Sequence, residues 1–318
     1  MPAELITSAQ NPKVKRLLAL QKDSSLRRES GLFVVEGRRE LEHCLAAGFE
    51  VDSVFVCPSL HGPDFTLQRL RTFGPIPPTA KAAGPSHCVE IFSPYSPPGD
   101  ICPKGRCVGA DGLWRAKSLP GNGADTRIFE VSPEVYEKVA YRGGTEGVIA
   151  EVTAKERRLE DLELPENPLI VVLEAVEKPG NLGAVLRSAD AAGADAVLVC
   201  DPLTDLYNPN LIRASIGAIF TVPCVACSSE EAIAWLKARG IQILTAQLQD
   251  SSLYYDCDLK RGTALVMGTE STGLSQQWRA AATAHIRIPM LGALDSLNVS
   301  VSAAILLFEA VRQRKERL

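Results

Sequence analysis

Leu169-Ile170-Val171-Val172-Leu173-Glu174 is followed closely by Glu177-Lys178-Pro179-Gly180-Asn181-Leu182-Gly183-Ala184-Val185-Leu186-Arg187-Ser188-Ala189. The first run is apolar without alternation, as a strand reads when both its faces are covered. The second sits directly after that strand and opens a helix. The same alternation continues downstream. Strands are expected at Ala196–Cys200, Val222–Ala226, Gln242–Gln247, Ala264–Met267 and His285–Ile288, and helices starting near Asn210, Ser229, Ser275 and Ser296. Ser228-Ser229-Glu230-Glu231 is a good helix opening, with acids in the first turn. Apolar strands alternating with helices predict a mostly parallel sheet covered on both sides, so residues 168–318 are α/β.

Outside that region the chain changes character. Its 318 residues suit two domains rather than one core, and 46% hydrophobic with 23% charged residues is ordinary globular composition. Residues 1–58 read as helix, strand, helix, strand: Val14–Gln21, Leu32–Glu36, Arg38–Ala47 and Val51–Cys57. Residues 62–123 hold nine of the 24 glycines and ten of the 21 prolines, without any sustained period. That composition predicts irregular or disordered chain. Order returns with strands at Ile128–Val131 and Gly147–Val152 around a helix opened by Ser132-Pro133. The expected division is a small α/β domain over 1–152 containing the insert, a linker at 153–167, and the larger α/β domain over 168–318.

No apolar run is long enough to cross a bilayer, and Met1-Pro2-Ala3-Glu4 does not open a secretory signal. Nine scattered cysteines, an odd number, suit a reducing cytoplasm. Net charge is −4 but uneven. Residues 1–40 carry eight Lys and Arg against five acids, and Arg312, Arg314, Lys315 and Arg317 stand near the end. Local basic faces attract a phosphate backbone, although such charge is also common on ordinary solvated helices. His87, Cys88, Cys102 and Cys107 lack a second close pair that would complete a zinc site, so no metal is expected. Cys224-x-x-Cys227 runs out of a strand and reads as partly core.

Three segments of the α/β region carry candidate chemistry. In the first, Gly180 and Gly183 permit close backbone approach at a helix start, where anions are favoured. Asn181 and Arg187 lie on neighbouring faces of that helix, and an Arg among apolar residues is costly unless paired or anion-bound. The second is Leu265-Val266-Met267-Gly268-Thr269-Glu270-Ser271-Thr272-Gly273-Leu274-Ser275, a strand ending in a glycine-flanked loop with one carboxylate. Ligands of open α/β sheets bind along that edge. The third is Ile286-Arg287-Ile288-Pro289-Met290 with Asp295-Ser296-Leu297-Asn298-Val299-Ser300, where Ser296 is placed to cap a helix running to Lys315.

In this order the segments resemble the motifs of the SpoU/TrmH branch of the SPOUT RNA methyltransferases. The resemblance covers nearly all of 168–318. A weaker one covers 1–58, through Ser8-Ala9-Gln10-Asn11-Pro12-x-Val14-Lys15 and Phe33-Val34-Val35-Glu36-Gly37. It implies a trefoil-knotted α/β domain with a small N-terminal substrate-binding domain, S-adenosyl-L-methionine as cofactor, a homodimer, and methyl transfer to a ribose 2′-hydroxyl of RNA. Carried over by motif, the catalytic polar set is Asn181, Arg187, Glu270, Ser296 and Asn298. The cofactor contacts are Gly268, Ile288 and Leu297, largely through backbone groups. Lys13, Lys15, Arg16, Arg27 and Arg28 are the candidates for RNA-backbone contact. The N-terminal resemblance favours 23S ribosomal RNA; transfer RNA, or a catalytically silent RNA-binding relative, are the alternatives. A nucleotide enzyme using Gly180 and Gly183 as a phosphate cradle is disfavoured by the missing third glycine.

Overall fold

The computed structural model describes residues 4–61, 126–141, 146–269 and 272–314, and the backbone alone of 89–92, 107–108 and 113–116. The chain divides into two compact units, Met1–Lys155 and Glu156–Leu318.

The first unit runs β1 (Glu4–Ile6), α1 (Pro12–Lys22), α2 (Ser24–Ser30), β2 (Leu32–Glu36), α3 (Arg38–Ala46), β3 (Val51–Val56), β4 (Val89–Phe92), β5 (Cys107–Val108), β6 (Leu113–Ala116), β7 (Arg127–Val131), α4 (Pro133–Val139) and β8 (Val148–Thr153). Five strands make a mixed sheet in the order β1-β7-β3-β8-β2. The Asn11 side chain starts α1 by accepting the Lys13 N–H at 2.9 Å, with Pro12 in the first turn. Val14 and Leu17, three apart, then pack with Phe55, Phe129 and Ile149. The short β1 and α2 were not expected, because neither is long enough to display a period.

Within 62–123, expected to be irregular, the described backbone forms a three-stranded antiparallel sheet in the order β4-β6-β5. Strand pairing there rests on backbone bonds that a glycine- and proline-rich composition does not advertise. His87, Cys88 and Cys102 lie outside the described residues, as does the side chain of Cys107.

The second unit runs β9 (Leu169–Glu174), α5 (Pro179–Ala191), β10 (Ala196–Cys200), α6 (Pro209–Ala214), α7 (Ala218–Thr221), β11 (Cys224–Cys227), α8 (Ser229–Ala238), β12 (Gln242–Ala246), β13 (Ser252–Leu253), β14 (Thr263–Met267), α9 (Gln276–Ala281), β15 (Ala284–Arg287) and α10 (Val299–Gln313). Its seven strands are all parallel, in the order β11-β10-β9-β14-β12-β15-β13. Ile170, Val172, Ala196, Leu198, Ala264 and Val266 pack in one core with Trp235 of α8 and Trp278 of α9. Val171, Leu173, Val197 and Leu265 alternate with them and are equally buried, so they occupy the opposite face. There α5 and α10 pack against each other and against the sheet. Ser228 and Glu231 form the reciprocal cap expected at the start of α8.

The boundaries need three corrections. The expected linker 153–167 is partly structural: Leu159 and Leu162 are buried in the second unit's core. The last helix starts at Val299, with Asn298 rather than Ser296 as its cap, and ends at Gln313 rather than Lys315. Arg314, counted above with a basic face, is buried. Its guanidinium donates to the carbonyls of Asn167 (3.1 Å), Pro168 (3.3 Å), Leu259 (2.6 Å) and Arg261 (2.6 Å), closing the end of α10 onto two loops.

Candidate active site

The chain order of the second unit explains where its cleft lies. β9, β10 and β11 extend the sheet one way, and the chain then returns to build the other side of β9 from β14 outward. A crevice forms beyond the carboxyl ends at such a reversal. A cleft of about 340 Å³ lies there, lined by Ala175, Val176, Glu177, Lys178 and Asn181 from the β9–α5 junction, Gly268 and Thr269 after β14, and Val299 at the start of α10. All three motif segments therefore reach one cavity, of a size that suits a small organic ligand.

Each junction has a local cause. Ala175 has φ 50°, a left-handed conformation uncommon for a residue with a side chain, and its N–H is fixed by the Cys200 carbonyl at 2.9 Å. This turns the chain out of β9 across the cleft floor. After β14 the chain doubles back: Gly273 N–H donates to the Thr269 carbonyl at 3.1 Å, and the Thr269 and Thr272 hydroxyls lie 2.7 Å apart. A Cβ on Gly268 would come within 2.3 Å of the Gly273 carbonyl, so only glycine fits there. The third junction is Asn298, whose Oδ1 accepts the Ser300 N–H at 2.9 Å. Its Nδ2 donates to Asn181 Oδ1 at 3.2 Å, joining two motifs far apart in the chain.

Among the expected catalytic residues, Asn181 and Asn298 come together. Ser296 is exposed and bonds Asp295 instead, at 3.2 Å. Glu270 lies outside the described residues. Arg187 corrects an expectation: its side chain is exposed, so the apolar helix does not force it to find an anion, and no hydrogen bond or ion pair reaches it among the described residues. Six residues along α5 from Asn181 carry it off the face that lines the cleft. Of the expected cofactor contacts only Gly268 lines the cleft; Ile288 is half-buried and Leu297 exposed.

The glycines of the first motif divide. A Cβ on Gly183 would meet the Ala214 Cβ at 2.6 Å, whereas one on Gly180 would meet nothing within 4 Å. Gly183 thus serves the close packing of α5 on α6, which removes the main support for a phosphate cradle.

The candidate RNA contacts also divide. Arg27 is 5% exposed and donates to the Leu20 carbonyl at 2.6 Å, so it caps α1 and is withdrawn as an RNA contact. Arg16 binds Glu151, which is fully buried, and also Asp52 at 3.0 Å. Burial disfavours the Arg16 charge, but those two carboxylates outweigh it and raise the guanidinium above its ordinary value. Lys13 pairs with Glu4 and lies over the Phe129 ring at 4.3 Å. Lys15 and Arg28 are exposed.

Two framing residues were not foreseen. Val299, the first residue of α10, is the apolar wall that the third motif contributes. Glu174 is buried at the end of β9, and its only signal in the sequence is a carboxylate closing an otherwise apolar strand.

Residues 168–308 match the SpoU rRNA Methylase family and residues 11–73 match the MRM3-like substrate binding domain. The chain is 36% identical over 199 residues to the 23S rRNA (guanosine-2′-O-)-methyltransferase RlmB of Bordetella pertussis, covering 60% of this chain and 80% of that one. It is 35% identical to the 23S rRNA (uridine(2479)-2′-O)-methyltransferase of Streptomyces viridochromogenes over 52% of this chain, and spans 60% of that protein's length. Among solved structures, an RNA 2′-O ribose methyltransferase superposes with TM-score 0.71 at 35% identity, over 98% of this chain and 99% of that one. An AdoMet-bound rRNA methyltransferase from Sinorhizobium meliloti superposes with TM-score 0.74 at 26% identity, over 98% of both chains. The convergence of the three motifs on one cleft and the extent of these matches have one meaning: the chain belongs to the SpoU rRNA methylase family.

Proposed function

We propose that the chain is an S-adenosylmethionine-dependent RNA methyltransferase that methylates a ribose 2′-hydroxyl of 23S ribosomal RNA. The observation that carries this reading is the cleft itself, where Asn181, Gly268 and Val299 come from three separate junctions and the Asn181 and Asn298 amides are bonded. The residues fit the cofactor: the cleft has room, and the tight turn that only a glycine at 268 allows brings the Gly268 and Thr269 backbone to it. Gly268 and Thr269 would hold it, with Ile288 and Leu297 as further backbone contacts. When bound, the cofactor supplies a methyl group already activated by its sulfonium.

The protein's own task is therefore alignment and charge stabilisation. Asn298 bonded to Asn181 fixes which amide groups face the cleft, and these orient the 2′-hydroxyl. Arg187 is the cation of the set. It grips the neighbouring phosphate and meets charge developing on the attacking oxygen. Glu270 and Ser296 complete the polar set.

Because Arg187 stands away from the cleft of its own chain, we assign it to the cleft of a second copy. Support comes from exposed apolar residues after β15 and along α10: Leu291 (97% exposed), Leu294, Leu297, Val301 and Phe308. Such a patch marks an association surface. The working unit is then a homodimer, with the C-terminal segment of each chain knotted as in the family. Among the described residues no helix is long and apolar enough to cross a membrane, which fits an enzyme meeting its RNA in the cytoplasm.

The deciding experiment maps 2′-O-methylation across ribosomal and transfer RNA in a strain lacking the protein and in its parent, alongside calorimetry with S-adenosylmethionine. Loss of one 23S mark is the expected result. A lost mark on transfer RNA replaces the substrate, and no lost mark with no cofactor binding overturns the reading.

A further inference from the structure

Glu174 is 6% exposed, and its Oε2 accepts the Ser275 N–H at 2.8 Å. The two ends of this bond flank the cleft. Glu174 is the last residue of β9, immediately before Ala175 with its left-handed backbone, and Ser275 is the cap position of α9. Between Gly268 and Ser275 runs the turn whose first two residues line the cavity. The Ser275 hydroxyl makes no cap of its own. A buried carboxylate that accepts a backbone N–H makes a strong bond, since a charged acceptor shortens and strengthens it.

We infer that Glu174 is a positioning residue: by holding Ser275 it fixes the exit of the β14 turn against the end of β9, so that Gly268 and Thr269 present their backbone groups to the cofactor in one arrangement. Within the turn, the Thr269 and Thr272 hydroxyls lie 2.7 Å apart and the Gly273 N–H donates to the Thr269 carbonyl. Glu174 ties the turn to the β9–α5 junction that carries Asn181. The cofactor turn thus rests on an anchor outside the cleft lining. This deepens the methyltransferase reading and rests on it for the identity of the ligand.

The test compares the full-length protein with Glu174→Ala, Glu174→Gln, Ser275→Pro and the double variant Glu174→Ala/Ser275→Pro. Ser275 has φ −66°, which a proline ring adopts, so that substitution removes the donor. The ring's Cδ then points at the Glu174 carboxylate, and the double variant, where Glu174→Ala leaves room for it, is the cleaner loss of the bond. Calorimetry with S-adenosylmethionine is expected to show about tenfold weaker binding for Glu174→Ala and for Ser275→Pro, the order expected of a hydrogen bond to a charged group. The double variant should be no weaker than either single one, and Glu174→Gln, which keeps an acceptor, should recover most of the loss. RNA affinity and turnover at saturating cofactor should change little. Hydrogen exchange over 268–275 provides a reading independent of the cofactor, with faster exchange expected in Glu174→Ala. Unchanged exchange or additive losses in the double variant would overturn the inference. Failure of the parent protein to bind S-adenosylmethionine sinks the functional reading instead, and the exchange result still decides the anchor. Should Glu174→Ala not fold, Ser275→Pro carries the comparison.

Discussion

In the first unit two of the cations that a charge count offers to RNA are committed to the fold. Arg16 holds the fully buried Glu151 and Arg27 closes the end of α1. In the second unit the polar residues of the motifs do the opposite, with Asn181 and Asn298 meeting at the open mouth of a parallel sheet. Both sets are polar, yet one secures the fold and the other faces a ligand. The difference comes from topology: a carboxyl edge at a chain reversal cannot be closed by the sheet itself, whereas a mixed sheet with flanking helices can close around an ion pair.

Arg16→Ala is the strongest way to test that contrast. It leaves the Glu151 carboxylate buried with Ser53 Oγ at 2.7 Å and without its cation. Glu151 is buried but the Arg16 side chain is 41% exposed, so water offsets part of the loss, and thermal or urea unfolding should show a drop of about 1–3 kcal/mol. Were Arg16 chiefly an RNA contact, stability would hold and only RNA affinity would fall. The matching change in the second unit is Asn298→Ala, which breaks the amide pair at a site already open to solvent. Turnover should drop by roughly 10²–10³-fold, the scale of losing one aimed polar group, with small change in melting temperature beyond the lost helix cap. A variant that melts early while its folded fraction turns over normally would place Asn298 with Arg16, among the residues that only hold the fold.

Gly268→Ala comes next. The added methyl must displace the Gly273–Leu274 backbone, and overpacking of this kind costs about 1–3 kcal/mol. In a cofactor loop that loss should appear as weaker S-adenosylmethionine binding by calorimetry. Gly183→Ala carries a comparable clash with Ala214 and should lower stability while leaving cofactor affinity nearly intact. Equal effects of the two on binding would erase the distinction between a glycine for packing and a glycine for the ligand.

The α/β class and the convergence of three motifs were legible because both depend on local pattern: apolar strands, glycine-flanked ends, and Asn or Ser before helices. The side of each helix that a residue occupies was not. Arg187 read as an ion in an apolar helix, yet one exposed face of α5 accommodates it at no cost. Arg27 and Arg314 read as surface charge, but guanidinium groups are long enough to turn back onto carbonyls that the chain brings together only after folding. Glu174 escaped for a related reason, since its partner stands in a different loop. Sequence spacing locates polar residues; their partners are settled by contacts between segments far apart in the chain.

The exposed pair Lys15 and Arg28 sets the smallest expected effect on binding in the first unit. Neutralising both to Gln should leave folding unchanged, weaken RNA binding modestly, and reduce the dependence of affinity on salt by up to about two counterions. Arg27→Gln should do the reverse, lowering stability with no effect on that salt dependence. A fall in the salt slope with Arg27→Gln would return Arg27 to the RNA surface.

A finer contrast lies within the second unit, at the carboxyl ends of β10 and β11. Cys200 and Cys227 are paired in register with their sulfurs 3.9 Å apart, so Cys227 meets a partner other than the Cys224 that its spacing suggests. The contact between the two thiols lowers the Cys227 thiol below its ordinary value and raises that of Cys200 further than burial alone would. Because alkylation requires the thiolate, Cys227 should react with iodoacetamide at a pH where an ordinary thiol is still protonated, and before Cys44, Cys200 and Cys224, which are buried. Cys200→Ala removes that neighbour and should move the pH profile of that reaction upward. An unmoved profile would mean that the Cys227 thiolate owes nothing to its neighbour, and that the two sulfurs merely share a wall of the core.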